Sequence, residues 1–180
     1  MTLGPILLPY HGVFPRIAPG AFIAPGVSII GDVEIGDDST VWFSCAIRGD
    51  VNFVCVGPRS NIQDGTIIHT SSGEGGQTMI GADVTVGHQC LLHACTIENG
   101  ALIGMGAIVM DRAHIESGGW VGAGAMVTEG KRVKSGELWL GRPAKFARML
   151  TNEERAHILA LAQRYVVRGR EYRSALGLGP

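Results

Sequence analysis

Two histidines hold the same slot in a short repeat. His69 follows an aliphatic core residue, Ile68, by one position, and His93 follows Leu92 by one. They lie 24 residues apart. That is one coil of about 18 residues plus a surplus absorbed by an ejected loop, the glycine-rich polar segment Thr70 to Thr78 (TSSGEGGQT). Strands on adjacent coils stack about 4.8 Å apart, so two imidazoles placed this way converge on one metal ion. His88 comes five residues before His93 and two after the core residue Val86. It falls near the corner of the preceding face and points outward. From there it completes a three-histidine site across a boundary with a second chain. A three-sided prism assembled about a threefold axis supplies that boundary three times. Three neutral imidazoles with one open position for water form a catalytic zinc arrangement. Imidazole suits iron or cobalt as well. His11, His114 and His157 share no such register and read as ordinary.

The element that must position these side chains is a repeat of period six. An apolar residue recurs at Ile17, Ile23, Ile29, Ile35, Val41, Ile47 and Phe53. The phase slips by three and resumes at Val56, Ile62 and Ile68, then at Ile80, Val86 and Leu92. After a five-residue step it runs from Ile97 through Ile103, Val109, Ile115, Val121, Val127 and Val133 to Trp139. This period fits neither a helix nor a plain strand. It predicts an all-β solenoid in which each hexapeptide gives one short strand and one corner. Three hexapeptides close a triangular coil, and about seven coils stack to bury a shared core. Glycine and Asx residues suit the corners. The solenoid is predicted over residues 1–150. Over residues 151–180, Thr151-Asn-Glu-Glu154 reads as a capping box. Ile158, Ala162, Tyr165, Val166, Gly169 and Tyr172 then follow at helical spacing, which predicts one amphipathic α-helix from about 152 to 174, packed on a flank of the solenoid, and a short tail.

Composition agrees with a thin, repetitive core. Of the 180 residues, 46% are hydrophobic but only 6% aromatic, and 27 are glycine. A net charge of -1 without a basic stripe argues against nucleic acid as a partner. Cys45, Cys55, Cys90 and Cys95 form no CxxC pair and read as reduced, buried thiols of a cytoplasmic protein. Met1 to Pro9 is apolar but short, lacks a basic start and is broken by Pro5 and Pro9, so it does not read as a signal peptide. No stretch is long and apolar enough to predict a membrane span.

The residues around the histidines carry a resemblance. Arg48-Gly-Asp50, Ser60-Asn-Ile-Gln-Asp64, His69, Val84-Thr-Val-Gly-His88, Leu92-His93-Ala-Cys95, Ile103-Gly-Met-Gly-Ala107, Gly141-Arg-Pro-Ala-Lys145 and the helix start at Thr151 resemble the γ-class carbonic anhydrase family, within the hexapeptide-repeat superfamily. The resemblance covers nearly the whole chain. It implies a left-handed parallel β-helix, an exception to the usual right-handed crossover, and a homotrimer. It also implies that His69 and His93 come from one subunit and His88 from its neighbour. Gln63 resembles the residue that hydrogen-bonds the metal-bound water or bicarbonate. Arg48 is similar to an arginine that pairs with Asp50 and Asp64 across the trimer interface. Tyr165 is similar to a tyrosine that leans over the metal pocket. Asn61 reads as a member of a corner ladder. Val51 stands where the archaeal prototype has a glutamate, and the Thr70 to Thr78 loop carries only Glu74, so proton export falls to buffer or another group.

The implied reaction is metal-dependent, reversible hydration of CO2 to bicarbonate, with metal hydroxide as the nucleophile. Two rival readings use the same scaffold. An acyl-CoA thioesterase or hexapeptide acyltransferase needs a single histidine as general base. A non-enzymatic, metal-stabilised trimeric scaffold needs the metal but no turnover.

Overall fold

The computed structural model describes residues 4–177. Residues 1–3, part of the segment read above for a signal peptide, and the last three residues of the tail lie outside it. The period-six pattern folds into a parallel β-solenoid of about seven turns with a single C-terminal helix. Its first face stacks Ile6–Leu8, the start of Ser28–Ile35, the start of Ala46–Val56, Ile67–His69, Leu91–His93, Ile108–Val109 and Met126–Val127. The second face stacks the later halves of the two long strands with Arg16–Ile17, Thr78–Ile80, Thr96–Ile97, His114–Ile115 and Arg132–Val133. The third runs from Phe22–Ile23 to Glu137–Leu140, where the antiparallel strand Lys145–Met149 ends the sheet.

The repeating aliphatics fill the prism. Ile29, Ile47, Ile62, Ile68, Val86, Leu92, Ile103 and Val109 are fully buried. Each is covered only because the coil above and the coil below supply the next layer. Phe53 departs from the expected pattern. It is 40% exposed, and Val54 takes the inward place at 1% exposure. The register shows why. Gly31 pairs with Gly49 and Val33 with Val54, so Asp32 alone on one strand faces Asp50 through Phe53 on the next. This bulge is the origin of the three-residue slip in the repeat. Gly49 opens it, and no larger residue fits there, because a Cβ would lie 2.2 Å from the carbonyl oxygen of Asp32. Trp139 is only partly buried and packs on the last layer of the core.

Three of the four free cysteines, Cys45, Cys90 and Cys95, are buried as expected, while Cys55 is partly exposed. Burial pushes the Cys45 and Cys90 thiols up to about 11 and that of Cys95 up to about 12, which keeps them protonated and unreactive.

The helix spans Asn152–Ala175 and lies on the third face, against Phe22–Ile23, Thr40–Val41, Asn61–Ile62 and Thr85–Val86. Ile158, Ala162, Val166 and Gly169 are its buried stripe. Tyr165 is half-buried and Tyr172 is exposed at its rim, both with rings against Trp42. Polar anchors fix the helix lengthwise: Arg170 donates to both carboxylate oxygens of Asp38 at 3.0 and 2.8 Å, and Gln163 donates to Asp83 at 3.1 Å. No helix among the described residues is long and apolar enough to cross a membrane.

The capping box forms in full. The Glu154 N–H donates to Thr151 Oγ1 at 3.2 Å, and the Thr151 N–H donates to Glu154 Oε2 at 2.9 Å. Arg148 adds two hydrogen bonds of 2.7 Å to the same carboxylate. Those bonds, with the Thr151 N–H, hold the Glu154 carboxyl down at about 2. A depressed folded-state value gives stability that is present above the ordinary 4.5 and fades as pH falls toward 2. Protection factors in the first turn of the helix, the exchange rates corrected for the intrinsic pH dependence of amide exchange, should therefore fall between pH 4.5 and 2 in the native chain. Glu154→Gln should exchange faster at neutral pH and respond less to acid. An identical acid response in the two proteins would dissociate Glu154 from the effect.

Candidate metal centre

His69 and His93 are direct partners in the ladder between Ile67–His69 and Leu91–His93. The surplus residues between them leave as the loop that expectation placed at Thr70 to Thr78, although Thr78 itself is buried and starts the next strand. The two rings stand with centroids 5.2 Å apart, and Nδ1 of His69 lies 3.2 Å from Nε2 of His93. A carboxylate engages the other nitrogen of each ring. Asp50 Oδ1 is 3.0 Å from His69 Nε2, and Asp111 Oδ1 is 2.6 Å from His93 Nδ1. A carboxylate at one ring nitrogen holds the proton there and leaves the other nitrogen as a bare lone pair. With both protons on the carboxylate side, the two facing nitrogens are lone pairs, which repel until a cation lies between them. Nitrogen–zinc bonds of about 2.0–2.1 Å at a tetrahedral angle span roughly 3.3 Å between nitrogens. The 3.2 Å gap fits such a cation.

Asp50 is held on both sides. Burial pushes its carboxyl up, but the hydrogen bond with His69 and the Arg48 guanidinium outweigh it and leave the group below the usual carboxylate range. Arg48 reaches Asp50 within the same chain while remaining 48% exposed. An apolar-walled hollow of about 230 Å³ opens beside these residues, lined by Ile30, Ala46, Arg48, Ile67, His69 and Leu91 among others.

The remaining predicted residues gather elsewhere. His88 sits at the corner that leads into Leu91–His93, while His93 ends that strand. Its Nδ1 is 2.9 Å from Asp64 Oδ2. Within one chain Asp64 therefore pairs with His88 rather than with Arg48. Gln63 is buried at the preceding corner, and its Nε2 donates to Asn61 Oδ1 at 3.0 Å. Asn61 in turn donates to Thr85 Oγ1 at 2.8 Å. Asn61 thus does more than stack: it fixes which end of the Gln63 amide is free. Tyr165 leans over this corner from the helix, where burial raises its phenol above the ordinary range.

The structure thus divides the site. Arg48, Asp50, His69 and His93 stand at one end of the first face; Gln63, Asp64, His88 and Tyr165 stand at the other. His88 lies in the turn before the strand Leu91–His93, with Gln89 in the left-handed region, and His93 closes that strand at its far end. Among the described residues, no three potential ligands of a single chain converge on one point. Sequence reasoning missed Asp111. Its signal was present, since it follows His93 by 18 residues, about one coil, but the shortened corner between Leu92 and Ile97 obscured the alignment.

Comparison with known proteins agrees with this architecture. The model of the bacterial transferase hexapeptide family (six repeats) matches residues 14–49. A carbonic anhydrase of Geobacillus kaustophilus is 48% identical over 94% of this chain and 92% of its own length. Mitochondrial γ carbonic anhydrase 2 of Arabidopsis thaliana is 45% identical over 84% of this chain, which spans only 56% of that longer protein. The crystal structure of a hexapeptide transferase family protein from Anaplasma phagocytophilum superposes with a TM-score of 0.89 at 51% identity, covering 93% of this chain and 98% of that one. A parallel solenoid built on a six-residue repeat defines the chain as a hexapeptide-repeat protein. The chain belongs to the γ-class carbonic anhydrase family.

Proposed function

We propose that the chain catalyses reversible hydration of CO2 to bicarbonate in a homotrimer. The metal is held by His69 and His93 of one subunit and His88 of the next. The observation that carries this reading is the pair of facing histidine nitrogens, 3.2 Å apart, with carboxylates behind both rings. The division into two half-sites at opposite ends of one face supports the trimer. A threefold rotation brings one end of a face against the other end of its neighbour's. Zinc, iron and cobalt all suit three imidazoles.

When bound, the metal supplies the Lewis acidity that makes water nucleophilic near neutral pH. The protein supplies position. Because the Gln63 Nε2 is committed to Asn61, its Oε1 remains to accept the nucleophile's O–H and orient it toward CO2. The apolar walls of Ile30, Ile67 and Leu91 suit an uncharged substrate. Arg48 and Asp50 steady His69 and, with Asp64, join the subunits. Tyr165 shields the Gln63 corner from bulk water. Val51 provides no acid beside Asp50, and Glu74, which lines a hollow with Ala94 and Asp111, is the one acid of the loop, so the released proton passes to buffer or to another group.

The deciding experiment measures metal content, CO2 hydration and thioester cleavage on one preparation made without oxygen and without added zinc. Hydration that disappears with the metal, and that falls about a hundredfold in Gln63→Leu through lost orientation, is the expected result. Thioester cleavage without hydration would replace this reading with the acyl-CoA enzyme. Neither activity in metal-loaded protein would leave the scaffold.

A further inference from the structure

The hydrogen bond from His93 to Asp111 assigns Asp111 a role that neither the repeat nor the helix requires. Asp111 lies in the corner after Ile108–Val109, and that corner is stacked by the Arg112 N–H donating to the Ala94 carbonyl at 2.7 Å. The stacking brings the carboxylate of one coil beside the imidazole of the coil before. The Asp111 side chain is 31% exposed, and His93 is its only side-chain hydrogen-bond partner drawn among the described residues. The neighbouring Arg112 turns instead to Glu129. Asp111 is therefore not spent on a surface ion pair. Its 2.6 Å contact is shorter than the 3.0 Å from His69 to Asp50.

We propose that Asp111 is a positioning residue: by accepting the Nδ1 proton of His93, it holds the tautomer whose Nε2 lone pair points at His69. This rests on the three-histidine site proposed above. An imidazole free in water prefers the opposite tautomer, with the proton on Nε2, and in that form His93 presents no lone pair to a metal. The carboxylate also fixes the plane of the ring. Outer partners of this kind change metal affinity by about tenfold to a hundredfold.

The test uses the full chain with ¹⁵N-labelled histidine. Long-range proton–nitrogen spectra of the metal-free protein report which nitrogen of His93 is protonated. Competition with a chelator reports zinc affinity. In the native chain the proton should sit on Nδ1. Asp111→Ala should move it to Nε2 and weaken zinc binding by about tenfold to a hundredfold. Asp111→Asn retains an acceptor oxygen and should restore the native tautomer and most of the affinity. It also guards against a variant that merely fails to fold, as does a thermal melt of each protein. A tautomer or a zinc affinity unchanged in folded Asp111→Ala would overturn the positioning role while leaving the three-histidine site intact. A native chain that binds no zinc through His69 and His93 would overturn both.

Discussion

Chains carrying His69→Ala and chains carrying His88→Ala, each devoid of metal alone, should recover metal and CO2 hydration when co-expressed. Each single variant removes one of three protein donors, a larger loss than the tenfold to hundredfold typical of outer partners, so homotrimers of either should stay empty. In mixed trimers some boundaries combine an intact His69 and His93, from the His88→Ala chain, with an intact His88 from the His69→Ala chain. Random assembly at equal expression makes that combination one half times one half, or about one boundary in four. Metal content and hydratase activity should therefore approach a quarter of the native level. His69→Ala with His93→Ala should give nothing, because the ladder places both donors on the same chain and every boundary then lacks one. Recovery in no pair, with mixed trimers demonstrated by differential tags, would put all three donors within one subunit. Loss of activity from one histidine alone, with metal retained throughout, would favour the general-base reading.

Arg48→Ala should weaken assembly more than it weakens metal binding. Within one chain Arg48 is 48% exposed, and an ion pair so exposed contributes little by itself. Its partner Asp50 is only 13% exposed and also holds His69. If the neighbour's surface covers this corner, the substitution strands a buried carboxylate, which costs about 3–5 kcal/mol. Sedimentation at micromolar concentration should show the native particle at about 57 kDa, three times the 19.0 kDa chain, and Arg48→Ala shifting toward monomer with a lower melting temperature. Zinc affinity in the trimers that remain should change less. Unaltered assembly and stability with abolished hydration would move Arg48 from the interface to the chemistry.

The period-six pattern determined the coil, the inward residues and the pairing of His69 with His93, because stacking in a solenoid repeats one local contact from layer to layer. The terminal helix was equally legible, since Thr151 and Glu154 cap it through contacts three residues apart. The period itself carries no handedness; that came only through the family's motifs. Tertiary structure decided what happens where the repeat is interrupted. The bulge from Asp50 to Phe53 turns Phe53 outward, brings Val54 inward and leaves Asp50 against His69. The shortened corner at Ala94 brings Asp111 under His93, and the chain from Thr85 through Asn61 sets the Gln63 amide. These contacts join residues on different coils, and their alignment depends on the length of each corner rather than on the period. The separation of His88 from His93 has the same origin: residues five apart in sequence stand at opposite ends of a face, because His88 is held in the corner turn and the strand Leu91–His93 then carries the chain away from it.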